Sequence, residues 1–134
     1  MSKFEADSFP VDTPSTYPTV EMKDLFEAIL SLKNLSEAKE FFRDLLTMPE
    51  LKEFANRWQI VQMLADGKTY LEIAEKVSTS TTTVSRCAYW LNHGLGGYDL
   101  VITRRKVSEL NRKKSKYSKS KTDRFLKKIS SLNK

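Results

Sequence analysis

The chain has 134 residues, a formal net charge of +6 and 40% apolar residues, enough for one core of ordinary size and too little for two. One cysteine and one histidine exclude an internal disulfide and any zinc set of familiar spacing, and no run approaches the roughly 18 consecutive apolar residues of a membrane span. Charge is divided: residues 1–102 hold 10 Lys/Arg against 15 Asp/Glu, whereas residues 103–134 hold 13 against 2, so the surface that seeks a polyanion lies in the C-terminal stretch.

Nucleic acid suits that stretch better than a membrane, because it has few large apolar residues to insert. The start, Met1-Ser2-Lys3-Phe4-Glu5, lacks a charged-then-apolar signal pattern, and a cytoplasmic protein with no membrane or metal partner is expected. Residues 1–19 hold Pro10, Pro14 and Pro18 among Ser, Thr and Asp and read as an extended or disordered arm. Apolar residues then recur at helical spacing: Met22, Leu25, Phe26, Ile29 and Leu32 predict a first helix, and Ala38, Phe41, Phe42 and Leu45, with Ser36 as cap, a second. Thr47-Met48-Pro49-Glu50 is a capping box with proline in the first turn, and it opens a third helix. Its stripe is Leu51, Phe54, Trp58, Val61 and Leu64, and Asp66-Gly67 ends it. These three helices carry more apolar surface than one short helix pair can cover, which predicts a homodimer.

Lys68 to His93 reads as a helix-turn-helix. Thr69 and Glu72 form a second capping box, Ile73 and Val77 face inward, and small Ala74 sits where the next helix crosses closely. Ser78-Thr79-Ser80 makes the turn; serine stands at Ser78 where such turns usually carry glycine. Ser80 caps a recognition helix whose Val84, Cys87, Ala88 and Leu91 repeat on its inner face. The residues left for DNA are Lys68, Thr69 and Tyr70 at the first short helix, and Ser80, Thr81, Thr82, Thr83, Ser85 and Arg86 at the second. Short hydroxyl side chains suit phosphate oxygens and base edges, and threonine methyls meet the thymine methyl. The bland alternative is two packed helices with a polar surface.

From residue 103 the chain reads as a basic tail. Arg104, Arg105, Lys106, Arg112, Lys113 and Lys114 are charge blocks without apolar periodicity, expected to be disordered when free and to touch phosphates nonspecifically. Phe125, Leu126, Ile129 and Leu132 suit one or two amphipathic turns. The expected organisation is thus an arm (1–19), an all-α helix-turn-helix domain (20–102) and a basic tail (103–134).

Several runs resemble the Trp repressor family: Leu46-Thr-Met-Pro-Glu-Leu51, Arg57-Trp-Gln-Ile-Val61, the Asp66-Gly67 break and Thr83-Val-Ser-Arg86, in that order. Ala88-Tyr-Trp-Leu91 and Gly94-Leu-Gly-Gly-Tyr98 are similar to its YerC/YecD-type branch. The resemblance implies an intertwined helical homodimer whose recognition helices enter successive major grooves of double-stranded DNA, about 34 Å apart. It also implies that Arg57 and Arg86 align with the arginines that clamp a tryptophan corepressor. The glycine that leaves room for the indole is replaced here by Cys87, followed by Tyr89 and Trp90, so no tryptophan and no other cofactor is expected. Arg57 is then a surface or interface cation and Arg86 a phosphate contact. The function expected is a sequence-specific transcriptional regulator of repressor type; the alternative is a nonspecific nucleic-acid-binding or interaction module using the basic tail. Catalysis is not expected, for want of a phosphate loop, paired carboxylates or an exposed nucleophile beside a base.

Overall fold

Short polar side chains set where the helices begin. In the computed structural model, which describes residues 13–132, six α-helices and no strand occur among the described residues. They are α1 (Val20–Leu30), α2 (Leu35–Leu45), α3 (Met48–Ala65), α4 (Tyr70–Val77), α5 (Thr81–His93) and α6 (Gly97–Leu132). None is long and apolar enough to cross a membrane. Both capping boxes form: the Thr47 and Thr69 hydroxyls accept from the Glu50 and Glu72 amides, and the two glutamates accept in return from the threonine amides at 2.8 Å. Those backbone and hydroxyl donors hold both carboxyls below the ordinary glutamate value. Their contribution is therefore present above the ordinary value and is lost as pH falls through the lowered one. The cap of α2 is Asn34, whose Oδ1 accepts from the Glu37 amide at 3.0 Å, and not the expected Ser36. Asparagine two residues earlier offers the same acceptor, so the helix starts sooner.

Two helix ends are made alike. Beyond α3, Gly67 adopts φ +80° and the Lys68 amide donates to the Met63 carbonyl at 3.1 Å; beyond α4, Ser78 adopts φ 55° and the Thr79 amide donates to Ala74 at 2.9 Å. Each end satisfies carbonyls the helix itself leaves open. The serine, however, sits in left-handed backbone that disfavours a Cβ by about 1–2 kcal/mol. Glycine would remove that strain while giving back about 0.4–1 kcal/mol of unfolded-state entropy. Ser78→Gly is therefore expected to stabilise the fold by about 0.5–1 kcal/mol in urea unfolding, and destabilisation would show that the serine side chain has a further partner.

The expectation for residues 1–12 lies outside the described residues. Residues 13–19 are turned rather than extended: the Tyr17 amide donates to the Pro14 carbonyl at 2.9 Å, and the Tyr17 ring lies 6.4 Å from that of Phe26. The expected tail is also different. Residues 103–132 are helical and continue α6 without a break, so the expectation of disorder does not hold. The chain divides into two compact units between Gly96 and Gly97. After Gly97 no glycine or proline interrupts α6, its lysines, arginines and leucines favour helix, and Glu109 pairs with Lys113 at 2.9 Å one turn on. One side of α6 gathers Leu100, Val107, Leu110, Tyr117, Phe125, Ile129 and Leu132, all exposed.

The core of the first unit is small. α3, α4 and α5 pack on one another and α2 rests on α3. Ile60, Val61, Ile73, Ala74, Val84, Cys87 and Ala88 are buried there, whereas no residue of α1 or α2 is buried. Val20, Met22, Phe26, Leu30, Leu35 and Leu45 stand exposed.

Candidate nucleic-acid interface

Packing fixes the rotation of α5. Val84, Cys87 and Ala88 point into the core, so at 100° per residue Thr82, Ser85, Arg86, Tyr89 and His93 fall on the opposite side, and all five are exposed. Ala74 is small where α4 meets α5, which lets the two axes come close. Cys87 behaves as a small apolar residue: burial pushes its thiol pKa up, and the nearby Arg57 charge takes back part of the shift. A Cβ on Gly94 would come within 2.4 Å of the Trp90 carbonyl, so the end of α5 requires glycine there.

The cap of α5 engages some of the candidate side chains. Ser80 Oγ accepts from the Thr83 amide at 3.1 Å and lies 3.1 Å from Thr83 Oγ1. Ser80 and Thr83 therefore hold the helix start, and Thr83 is half-buried, whereas Thr81, Thr82, Ser85 and Arg86 stand outward. At α4, Thr69 is the cap residue, and Lys68 and Tyr70 beside it are exposed. The three form one short patch.

The two arginines aligned with a ligand clamp differ in setting. Arg57 pairs with Glu53 and lies with its guanidinium carbon 5.8 Å from the centre of the Phe54 ring, an exposed surface cluster of α3. Arg86 belongs to the outer face of α5. Tyr89 is 44% exposed and does not fill an interior space. Cys87, at the position of the family's glycine, is buried, and Trp90 is half-buried. Tyr89, seven residues after Thr82, lies on the outer face of α5.

All six cations expected to touch phosphates, Arg104, Arg105, Lys106, Arg112, Lys113 and Lys114, lie on α6 and are exposed. Lys113 is engaged with Glu109, whose carboxyl is held below its ordinary value first by that hydrogen bond and charge, then by Arg112 and Arg105. Among the described residues no group of acidic, histidine and cysteine side chains could hold a metal ion.

Comparison with known proteins decides the family. The sequence model described as Trp repressor protein matches residues 20–106, from the start of α1 into α6. The chain belongs to the Trp repressor family. This is a family of DNA-binding regulators rather than enzymes. Within it the chain is of YerC type: it is 40% identical over 89 residues to the uncharacterized protein YerC of Bacillus subtilis (strain 168), covering 66% of this chain and 86% of that protein. A solved TrpR-like protein from Eubacterium eligens superposes with a TM-score of 0.66 at 43% identity, over 69% of this chain and 96% of the other. A further solved structure, from Staphylococcus aureus, gives 0.62 at 35% identity, over 64% of this chain and 86% of that one. For this Trp repressor family member the match to the family ends at residue 106, and the remaining 26 described residues of α6 lie beyond it.

Proposed function

We propose that this Trp repressor family member is a homodimeric, sequence-specific transcriptional repressor in which α4, the turn at 78–80 and α5 act as a helix-turn-helix, with α5 seated in the major groove. The observation that carries the reading is the outer face of α5. It is exposed, rich in hydroxyls, has one arginine and no acid along the helix, and so offers donors and methyls to base edges without repelling phosphates. The dimer is supported by the uncovered apolar residues of α1 and α2, which water would otherwise meet.

The reading is tested at Thr82, which faces outward in the first turn of α5. Thr82→Ala is expected to weaken a preferred duplex, recovered by selection from a random pool, by about 1–3 kcal/mol and to leave binding to random DNA nearly unchanged. Equal losses on both duplexes would favour the second reading, nonspecific binding through α6, which the 13 cations after residue 102 support. Tryptophan is not the effector in this account. Calorimetry with free tryptophan is expected to give no stoichiometric heat, and tight binding would return Arg57 and Arg86 to the role of clamp.

A further inference from the structure

The face of α5 does not end at Arg86. Tyr89 and His93 continue the line of Thr82, Ser85 and Arg86, and their rings are stacked, with centroids 4.8 Å apart and planes 19° from parallel. Tyr89 also meets the ring of Trp90 at right angles, with centroids 5.5 Å apart and planes at 88°. His93 Nδ1 lies 3.2 Å from the Tyr89 carbonyl, and because a carbonyl only accepts, Nδ1 carries the proton. An exposed tyrosine in contact with two neighbouring rings has little rotamer freedom left to lose when it meets a partner.

Distance along the helix says what that partner is. At 1.5 Å per residue, Tyr89 lies about 10 Å beyond Thr82 and His93 about 16 Å beyond it. The major groove is about 12 Å wide, so with the first turn of α5 on base edges and its axis directed across the groove, Tyr89 reaches the far wall. That wall is sugar and phosphate. We infer that Tyr89, buttressed by His93 and Trp90, is a phosphate-binding residue: its hydroxyl donates to one backbone phosphate oxygen of duplex DNA and fixes how far α5 slides along the groove. The inference rests on α5 being the groove helix. His93 is a positioning residue, acting through the Tyr89 ring.

The test uses the full chain and the duplex selected with it, carrying one neutral methylphosphonate at a time. Tyr89→Phe keeps both ring contacts and removes only the hydroxyl. It is expected to weaken the unmodified duplex about tenfold for each half-site, the size of a lost hydrogen bond to a charged oxygen, and so about a hundredfold for the dimer, and to weaken random DNA similarly, since phosphates carry no sequence. One methylphosphonate per half-site is expected to weaken the unsubstituted protein and Thr82→Ala alike but to leave Tyr89→Phe indifferent. His93→Ala is expected to lower affinity only where Tyr89 is present, and His93→Phe to restore it. A Tyr89→Phe affinity within twofold of the parent, or an unchanged methylphosphonate profile, overturns the inference. If Thr82→Ala still loses the preferred duplex in that case, the groove reading stands without it; if neither substitution matters, both fall.

Discussion

Phe54→Ala is expected to cost about 3–5 kcal/mol of stability, the loss typical of a large aromatic removed from a packed core. The single chain alone argues for far less. Phe54 is 48% exposed there, and truncating a half-exposed side chain on a free helix surface costs about 1 kcal/mol or less. The larger figure follows only if a second copy covers α3, so the substitution separates the two states by a margin well outside the error of urea unfolding. Trp58, half-buried on the same helix, is expected to behave alike. A second readout accompanies the first: the unfolding midpoint of a dimer rises with protein concentration. A midpoint independent of concentration, with a Phe54→Ala effect near 1 kcal/mol and a sedimenting mass near 15.5 kDa, would contradict the dimer.

Ending the chain after residue 106 is the second large change expected. It keeps every residue matched by the family and removes 10 of the 13 cations that follow residue 102. Each phosphate neutralised adds about 0.9 to the slope of log affinity against log salt, so if about five of the removed cations touch DNA the slope falls by about 4.5. Affinity for preferred and random duplexes is expected to drop together, because phosphate contacts do not read sequence. The helical state of residues 107–132 makes this a directional surface about 39 Å long at 1.5 Å per residue, not a loose arm. An unchanged slope would mean that α6 does not touch DNA.

The fold was legible where a polar cap met an apolar period, except at α2, whose cap is Asn34 and not Ser36. Thr47, Thr69 and Ser80 announced the starts of α3, α4 and α5, and Val84, Cys87 and Ala88 gave the inward face of α5 from spacing alone. Two things were hidden, each for a physical reason. Along α6 the apolar period is present at Val107, Leu110 and Tyr117, and again at Phe125, Ile129 and Leu132, but Lys114 and Lys121 stand in the same line and break it. Charge density was then read as disorder, although lysine and arginine are good helix formers. The role of Tyr89 was hidden because the family resemblance presents it only as a residue crowding the indole site. Its place in the helical repeat puts it outside, and the small neighbours that set the rotation, Ala74 and Ala88, were already in the sequence. The left-handed backbone at Ser78 is a case where the sequence departs from the residue the turn favours and the turn forms all the same.

The central claim is that α5 reads sequence, and competition between duplexes tests it most directly. The full chain is titrated with a labelled duplex recovered by selection, then challenged with the same unlabelled duplex and with random DNA at one fixed salt concentration. Roughly 10³-fold more random DNA is expected to be needed for equal displacement; displacement at equal concentrations would contradict sequence reading by α5.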